Sequence, residues 1–224
     1  VSCGLDTLAV RVPSHEGAQR FLRYVDIPVA APSANLSKHI SPVSAEHVYF
    51  DLQGRIPLIL DGGASDGGIE STVCDVTGDV PVVLRAGLVS REMIASVVGC
   101  CESYVPKAGE QVRSPGMKYK HYAPACKTRL FEADHVSDAV RCVKELLAEG
   151  KKVRVLCEHA AAPAFDDALV LDLGRDGREM ASNLYDLLRR AETCADVLVA
   201  VRPQQKDGIM EGVQNRLGKA CAEE

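Results

Sequence analysis

The sequence predicts an α/β protein, and three observations carry that prediction. Short runs of strand period alternate with segments of helical period, 46% of the 224 residues are hydrophobic, and no apolar run approaches the roughly 20 residues that a membrane span requires. A chain of this length can bury one large core or two modest ones. Charge is ordinary, with 26 Lys+Arg against 31 Asp+Glu and a net charge of −5, so no global basic field draws the chain to nucleic acid or to an anionic membrane. The first residues, VSCGLDTLAVRVP, do not read as a signal peptide, because no basic stretch precedes an apolar one. Nine cysteines are scattered, odd in number and set in apolar elements (Cys74, Cys142, Cys157, Cys194), which favours a soluble protein of the reducing cytoplasm over a disulfide scaffold. Adjacent Cys100 and Cys101 are poorly spaced to share one tetrahedral ion, so structural zinc is not expected.

Taken in order, Leu8, Val10 and Val12 alternate with Ala9 and Arg11, predicting a strand over Thr7–Val12 with Arg11 on the opposite face. Ser14 is a candidate N-cap for a helix over His15–Asp26, and Pro28 begins a short strand that runs into the turn PSAN at 32–35. A short helix is expected over Ser44–Leu52, then a buried strand PLILDGG at 57–63 and a Gly-rich turn. Strands follow at STVCDV, 71–76, and PVVLRAG, 81–87, and Ser90 opens a helix through Val98. Between Gly99 and Lys127 the periodicity stops. The segment Lys107–Arg129 carries six Lys/Arg against one acid, Glu110, a local basic strap suited to phosphates or to a solvated linker. Beyond it lie strand TRLFEA, helix Ser137–Glu149, strands KVRVLCE and ALVLDLG, helix Arg175–Cys194, strand DVLVAVR and helix Gly208–Ala222. This gives residues 1–99 as a first domain, 100–126 as a linker and active-site strap, and 127–224 as a small Rossmann-like domain. No G-x-G-x-x-G or Walker sequence occurs.

The polar groups expected to converge in the first half are Thr7, Arg11, Ser33, Asn35, Ser41, Ser71 and Arg85, at strand ends or in adjoining loops. Arg11 can hold a carboxylate by a bidentate pair, and Arg85, before Ala86-Gly87, can reach a phosphate. Taken singly, such residues are more often surface cations or turn and cap hydroxyls. No Ser-His-Asp or Cys-His arrangement suggests a protein nucleophile.

The segments TLAVRVP, PVAAPSANLSKHISP, ILDGG, GIESTVCDV, VVLRAG and SPGMKYKHYAP stand in the order and spacing of the two-domain, YrdC-like threonylcarbamoyl-AMP synthases, and the resemblance spans nearly the whole chain. It implies a YrdC-like twisted-sheet domain followed by the small α/β domain. It further implies condensation of L-threonine, bicarbonate and ATP to threonylcarbamoyl-AMP and pyrophosphate, with Mg²⁺ on the nucleotide and no permanently bound cofactor. The activated group then serves modification of tRNA adenosine 37 through a separate transferase. By the same resemblance Thr7, Ser33, Ser41, Arg85 and Tyr122 are ATP contacts, Arg11, Ala31 (through its backbone) and Ser71 are threonine contacts, and Asn35 supports them. The strap around Ser114–Pro124 would fold over the site. The family's fold begins upstream of Val1 with a Lys-x-Arg motif that contacts ATP and is not found here, so the resemblance implies a YrdC-like domain incomplete at its N-terminus and a fragment with reduced or no activity. A carbamoyl-adenylate-forming maturation enzyme and a non-catalytic RNA-binding module, with at most weak RNA binding, are the alternatives. The former carries zinc-finger and acylphosphatase parts, and the latter is disfavoured by the net charge and the lack of aromatic clusters.

Overall fold

The structure, a computed structural model, describes residues 4, 6–37, 39–105 and 122–222. Helices of the first half start where side chains satisfy free backbone N–H groups. Helix α1 (Glu16–Val25) is capped by His15, whose Nδ1 accepts from the Ala18 amide at 3.2 Å, one residue later than the expected Ser14 cap. Ser44 caps α2 (Ala45–Leu52) and Ser90 caps α3 (Arg91–Val98), each hydroxyl accepting a backbone N–H at 3.3 Å, and both helices lie where the sequence predicts them. Strand β1 (Val73–Asp75) pairs antiparallel with β2 (Val82–Arg85), and β3 (Glu102–Ser103), from the expected linker, adds to β2 in parallel.

Three expected strands do not form. Residues 7–12, 28–31 and 57–63 have no ladder partners among the described residues, and PLILDGG is not buried. Alternating apolar residues favour extended backbone, but only a neighbouring ladder makes a strand of it. Without one, Val10 and Val12 remain 89% exposed and Leu58 70% exposed.

The second half is a four-stranded sheet built from β4 (Lys127–Phe131), β5 (Val153–Cys157), β6 (Val170–Asp172) and β7 (Val197–Val201), with α4 (Val136–Ala148), α5 (Gly177–Cys194) and α6 (Ile209–Ala220). All its pairings are parallel, in the order β4-β7-β5-β6. The central strand β7 is apolar throughout because both of its faces are covered. Val197, Val199 and Val201 meet Ala139, Cys142, Val143 and Leu146 of α4, while Leu198 and Ala200 meet the core supplied by Leu184 and Leu188 of α5 and Val213 and Leu217 of α6. Strand period two thus serves two separate cores.

The α5–α6 side also receives the first half. Ile40, Ile69 and Tyr122 are buried within the same apolar cluster. At Gly68, φ is +61°, and a Cβ would stand 2.1 Å from the Ala181 carbonyl oxygen and 2.4 Å from the Ser182 Cα. The missing side chain lets the loop before β1 lie directly on the backbone of α5. That close approach delivers the next two residues, Ile69 and Glu70, to the junction between the halves.

Candidate functional site

Glu70 is the hub of a polar cluster at this junction. Its Oε1 accepts from Ser41 Oγ at 2.7 Å, and its Oε2 accepts from the Tyr185 hydroxyl at 2.8 Å and from Arg216 Nε at 3.1 Å. Tyr185 comes from α5 and Arg216 from α6, so the second half closes the cluster. Arg216 is 1% exposed at its side chain and also donates to the Ala86 carbonyl at 2.7 Å, next to Arg85. Arg85 ends β2 opposite Val73 and donates to the Ser71 carbonyl from Nε at 3.2 Å and from its terminal nitrogen at 2.9 Å. The Tyr122 ring lies 5.2 Å from that of Tyr185, tilted by 31°.

The charges are ordered by burial and pairing. Burial pushes the Glu70 carboxyl up, but the Arg216 guanidinium and the hydrogen bonds from Ser41 and Tyr185 outweigh it and hold the group below the usual carboxylate range. Glu70 is therefore ionised at neutral pH. Arg85 is lowered by burial and then by Arg216, yet from a starting value this high it remains a cation. Lys219, on α6, is lowered by burial and by the same guanidinium. Burial and Glu70 raise the Tyr122 and Tyr185 phenols, so both stay neutral donors. Among the described residues, Arg216 thus pairs with the Glu70 carboxylate while Arg85 and Lys219 lie near enough to feel its charge, with neutral hydroxyls beside them. Such a set is suited to polyphosphate and carboxylate groups.

Of the residues singled out from the sequence, Ser41, Ser71, Arg85 and Tyr122 meet in this cluster. Asn35 braces its own turn instead, its Nδ2 donating to the Leu36 carbonyl at 2.9 Å and the His39 carbonyl at 3.0 Å. Thr7, Arg11, Ala31 and Ser33 lie in exposed backbone outside any strand, and none of the hydrogen bonds among the described residues joins them to Glu70. Residues 114–121 of the strap lie outside the described residues; of its remainder, Tyr122 and Pro124 are buried. Sequence reasoning missed Glu70, Tyr185 and Arg216. Glu70 was in view inside GIESTV, directly before Ser71, and a carboxylate between Ile69 and Ser71 that is flanked by a buried position was the available signal. Tyr185 and Arg216 were hidden in ordinary amphipathic helices.

Among the described residues no group of three or more His, Cys, Asp or Glu side chains is placed to hold a metal ion, and the eight described cysteines are free. No described helix is long and apolar enough to cross a membrane.

Comparison with known proteins gives two family matches. Residues 89–222 match the family described as threonylcarbamoyl-AMP synthase, C-terminal domain, and residues 1–87 match one described as telomere recombination. The chain is 40% identical to a threonylcarbamoyl-AMP synthase of Schizosaccharomyces pombe, covering 99% of this chain and 59% of that protein. It is 41% identical to one of Pyrococcus abyssi, covering 98% of this chain and 65% of the relative, and 37% identical to one of Bacillus subtilis, with 99% and 65% covered. The crystal structure of P. abyssi Sua5 complexed with L-threonine superposes with a TM-score of 0.86 at 37% identity, over 98% of this chain and 65% of that one. The chain therefore spans about three fifths to two thirds of the length of these relatives.

Proposed function

This chain belongs to the threonylcarbamoyl-AMP synthase family, and from that membership we propose that it serves the formation of threonylcarbamoyl-AMP and pyrophosphate from L-threonine, bicarbonate and ATP. The observation that carries the reading is the gathering of Ser41, Ser71, Arg85 and Tyr122 around the half-buried Glu70, where Ser41 bonds the carboxylate, Arg85 bonds the Ser71 carbonyl, Tyr122 lies against Tyr185, and Arg216 and Tyr185 close the cluster from the other half. A relative of known structure that superposes on this chain, P. abyssi Sua5, is complexed with L-threonine, which supports the amino acid as a substrate here.

In this reading the threonine amine takes up carbon dioxide with release of a proton, or bicarbonate with release of water, to give a carbamate, and a carbamate oxygen attacks the α-phosphate of ATP. A new P–O bond forms, the bond to the β-phosphate oxygen breaks, and pyrophosphate leaves with the electron pair. No protein nucleophile enters the step. The residues align the reactants and offset phosphoryl charge, and Mg²⁺ arrives as part of the nucleotide substrate. Thr7, Ser33, Ser41, Arg85 and Tyr122 contact ATP; Arg11, the Ala31 backbone and Ser71 contact threonine; Asn35 supports the turn between them. Residues 1–99 hold the substrates, 100–126 form the strap, and 127–224 back the site. The product passes to a separate tRNA transferase in the cytoplasm.

Arg11 tests the assignment, since it alone is asked to hold the threonine carboxylate. Loss of one or two charge-assisted hydrogen bonds in Arg11→Ala is expected to weaken threonine roughly 10- to 100-fold and to leave ATP affinity nearly unchanged. Equal losses for both substrates in steady-state kinetics would contradict its role.

A further inference from the structure

We propose that Arg189 of α5 is a positioning residue through which the second half fixes the 31–41 loop, and with it nucleotide affinity. The guanidinium forms a fork on Asp51, at 3.2 Å to Oδ1 and 2.7 Å to Oδ2, and a third bond, 2.5 Å long, to the Ile40 carbonyl. Asp51 Oδ2 in turn accepts from the Leu36 amide at 3.4 Å. One buried pair therefore touches the loop at Leu36 and Ile40, on either side of the turn that Asn35 braces. Ser41, the next residue, is held by Glu70, whose other oxygen takes the hydroxyl of Tyr185.

Tyr185 and Arg189 stand one helical turn apart, so a single face of α5 holds the loop at Ile40 directly and the hub of Ser41 beside it. One residue along, Asp186 Oδ1 lies 3.4 Å from Nε2 of His47 in α2. His47 Nδ1 accepts from the Val43 amide, and burial and then Arg189 lower the pKa of the ring.

The energetics favour positioning over stability as the role of the pair. Arg189 and Asp51 are 9% and 1% exposed at their side chains, and Arg189 Nε is buried without a hydrogen-bond partner. A buried ion pair costs desolvation that an apolar pair of the same volume avoids, and an unsatisfied N–H adds to that cost. The pair supplies direction instead: a planar guanidinium sets two acceptors at fixed angles, which a lysine cannot do. The consequence for nucleotide rests on the function proposed above, whereas the restraint on the loop does not.

The test uses the full chain with Arg189→Met, Arg189→Lys and Asp51→Asn, reading amide hydrogen exchange across residues 36–41 and ATP binding by calorimetry. In Arg189→Met, exchange across 36–41 is expected to rise about tenfold or more with the β5 and β7 amides unchanged, and the ATP dissociation constant to rise by a similar factor. Arg189→Lys should recover part of both effects. Should Arg189→Met fail to fold, Asp51→Asn keeps the volume and must still accelerate the Leu36 amide. Wild-type exchange across 36–41 in both variants would overturn the proposal, as would faster exchange with unaltered ATP affinity. A wild-type protein that binds no ATP would sink the functional reading, and the exchange result would still decide the role of Arg189.

Discussion

Glu70→Ala is expected to destabilise the protein by about 3–5 kcal/mol, the cost of leaving a buried guanidinium without its carboxylate. The side chain accepts three hydrogen bonds from three separate segments, and Arg216 is 1% exposed, so no water shell is available to replace the lost partner. The pH dependence follows from the same contacts. Glu70 is held below its ordinary value of 4.5, and Asp51, which burial raises but Arg189 lowers further, is held below 3.8. The unfolded chain therefore binds these protons first as pH falls. The stability they contribute is complete above about pH 4.5 and is lost as pH drops through the folded-state values. Chemical denaturation as a function of pH should show a steep acid loss in the wild type and a shallower one in Glu70→Ala. An unfolding free energy within 1 kcal/mol of wild type at neutral pH would remove Glu70 from the centre of this account.

Gly68→Ala should be comparably severe for a steric reason. A positive φ costs a non-glycine residue about 1–3 kcal/mol, and forcing a methyl into a filled space adds about 1–3 kcal/mol. Here the obstructing atoms are the backbone of Ala181 and Ser182, 2.1–2.6 Å from the new carbon, and a helix backbone cannot rotate away as a side chain can. The loop would have to lift off α5, carrying Ile69 and Glu70 with it. Gly150→Ala is the control, because φ there is +75° with nothing within 4 Å of the added carbon, so it bears only the backbone strain. Thermal unfolding of the two variants should separate clearly. Equal shifts would show that the loop and α5 are not in contact.

The second half was legible in the sequence because its strands are short, β5 and β7 are almost wholly apolar, and helices with clear periodicity lie between most of them. VLVAV and VRVLC have few other readings. The capped helices at Ser44 and Ser90 were legible for the same kind of local reason. Residues 7–12 and 57–63 misled because alternation at Leu8, Val10 and Val12 reports extended backbone, whereas pairing depends on residues far away. Site residues divided along a similar line. Ser41, Ser71 and Arg85 lie in loops and strand ends whose composition is informative, but Glu70 gains its meaning only from Tyr185 and Arg216, more than 110 residues later. Nothing in the helical pattern of α5 or α6 says which of their polar residues turns inward. Arg189 is the clearest case, flanked by Leu188 and Arg190 and indistinguishable from its exposed neighbour until Asp51 and Ile40 are placed beside it.

Titration calorimetry of threonine into the protein, with and without saturating ATP, tests most directly whether this junction grips an amino acid beside a nucleotide. The expected result is threonine binding that strengthens when ATP is present, with Arg85→Ala abolishing the gain. Absence of binding by either ligand, or the same threonine affinity whether or not ATP is bound, would contradict it.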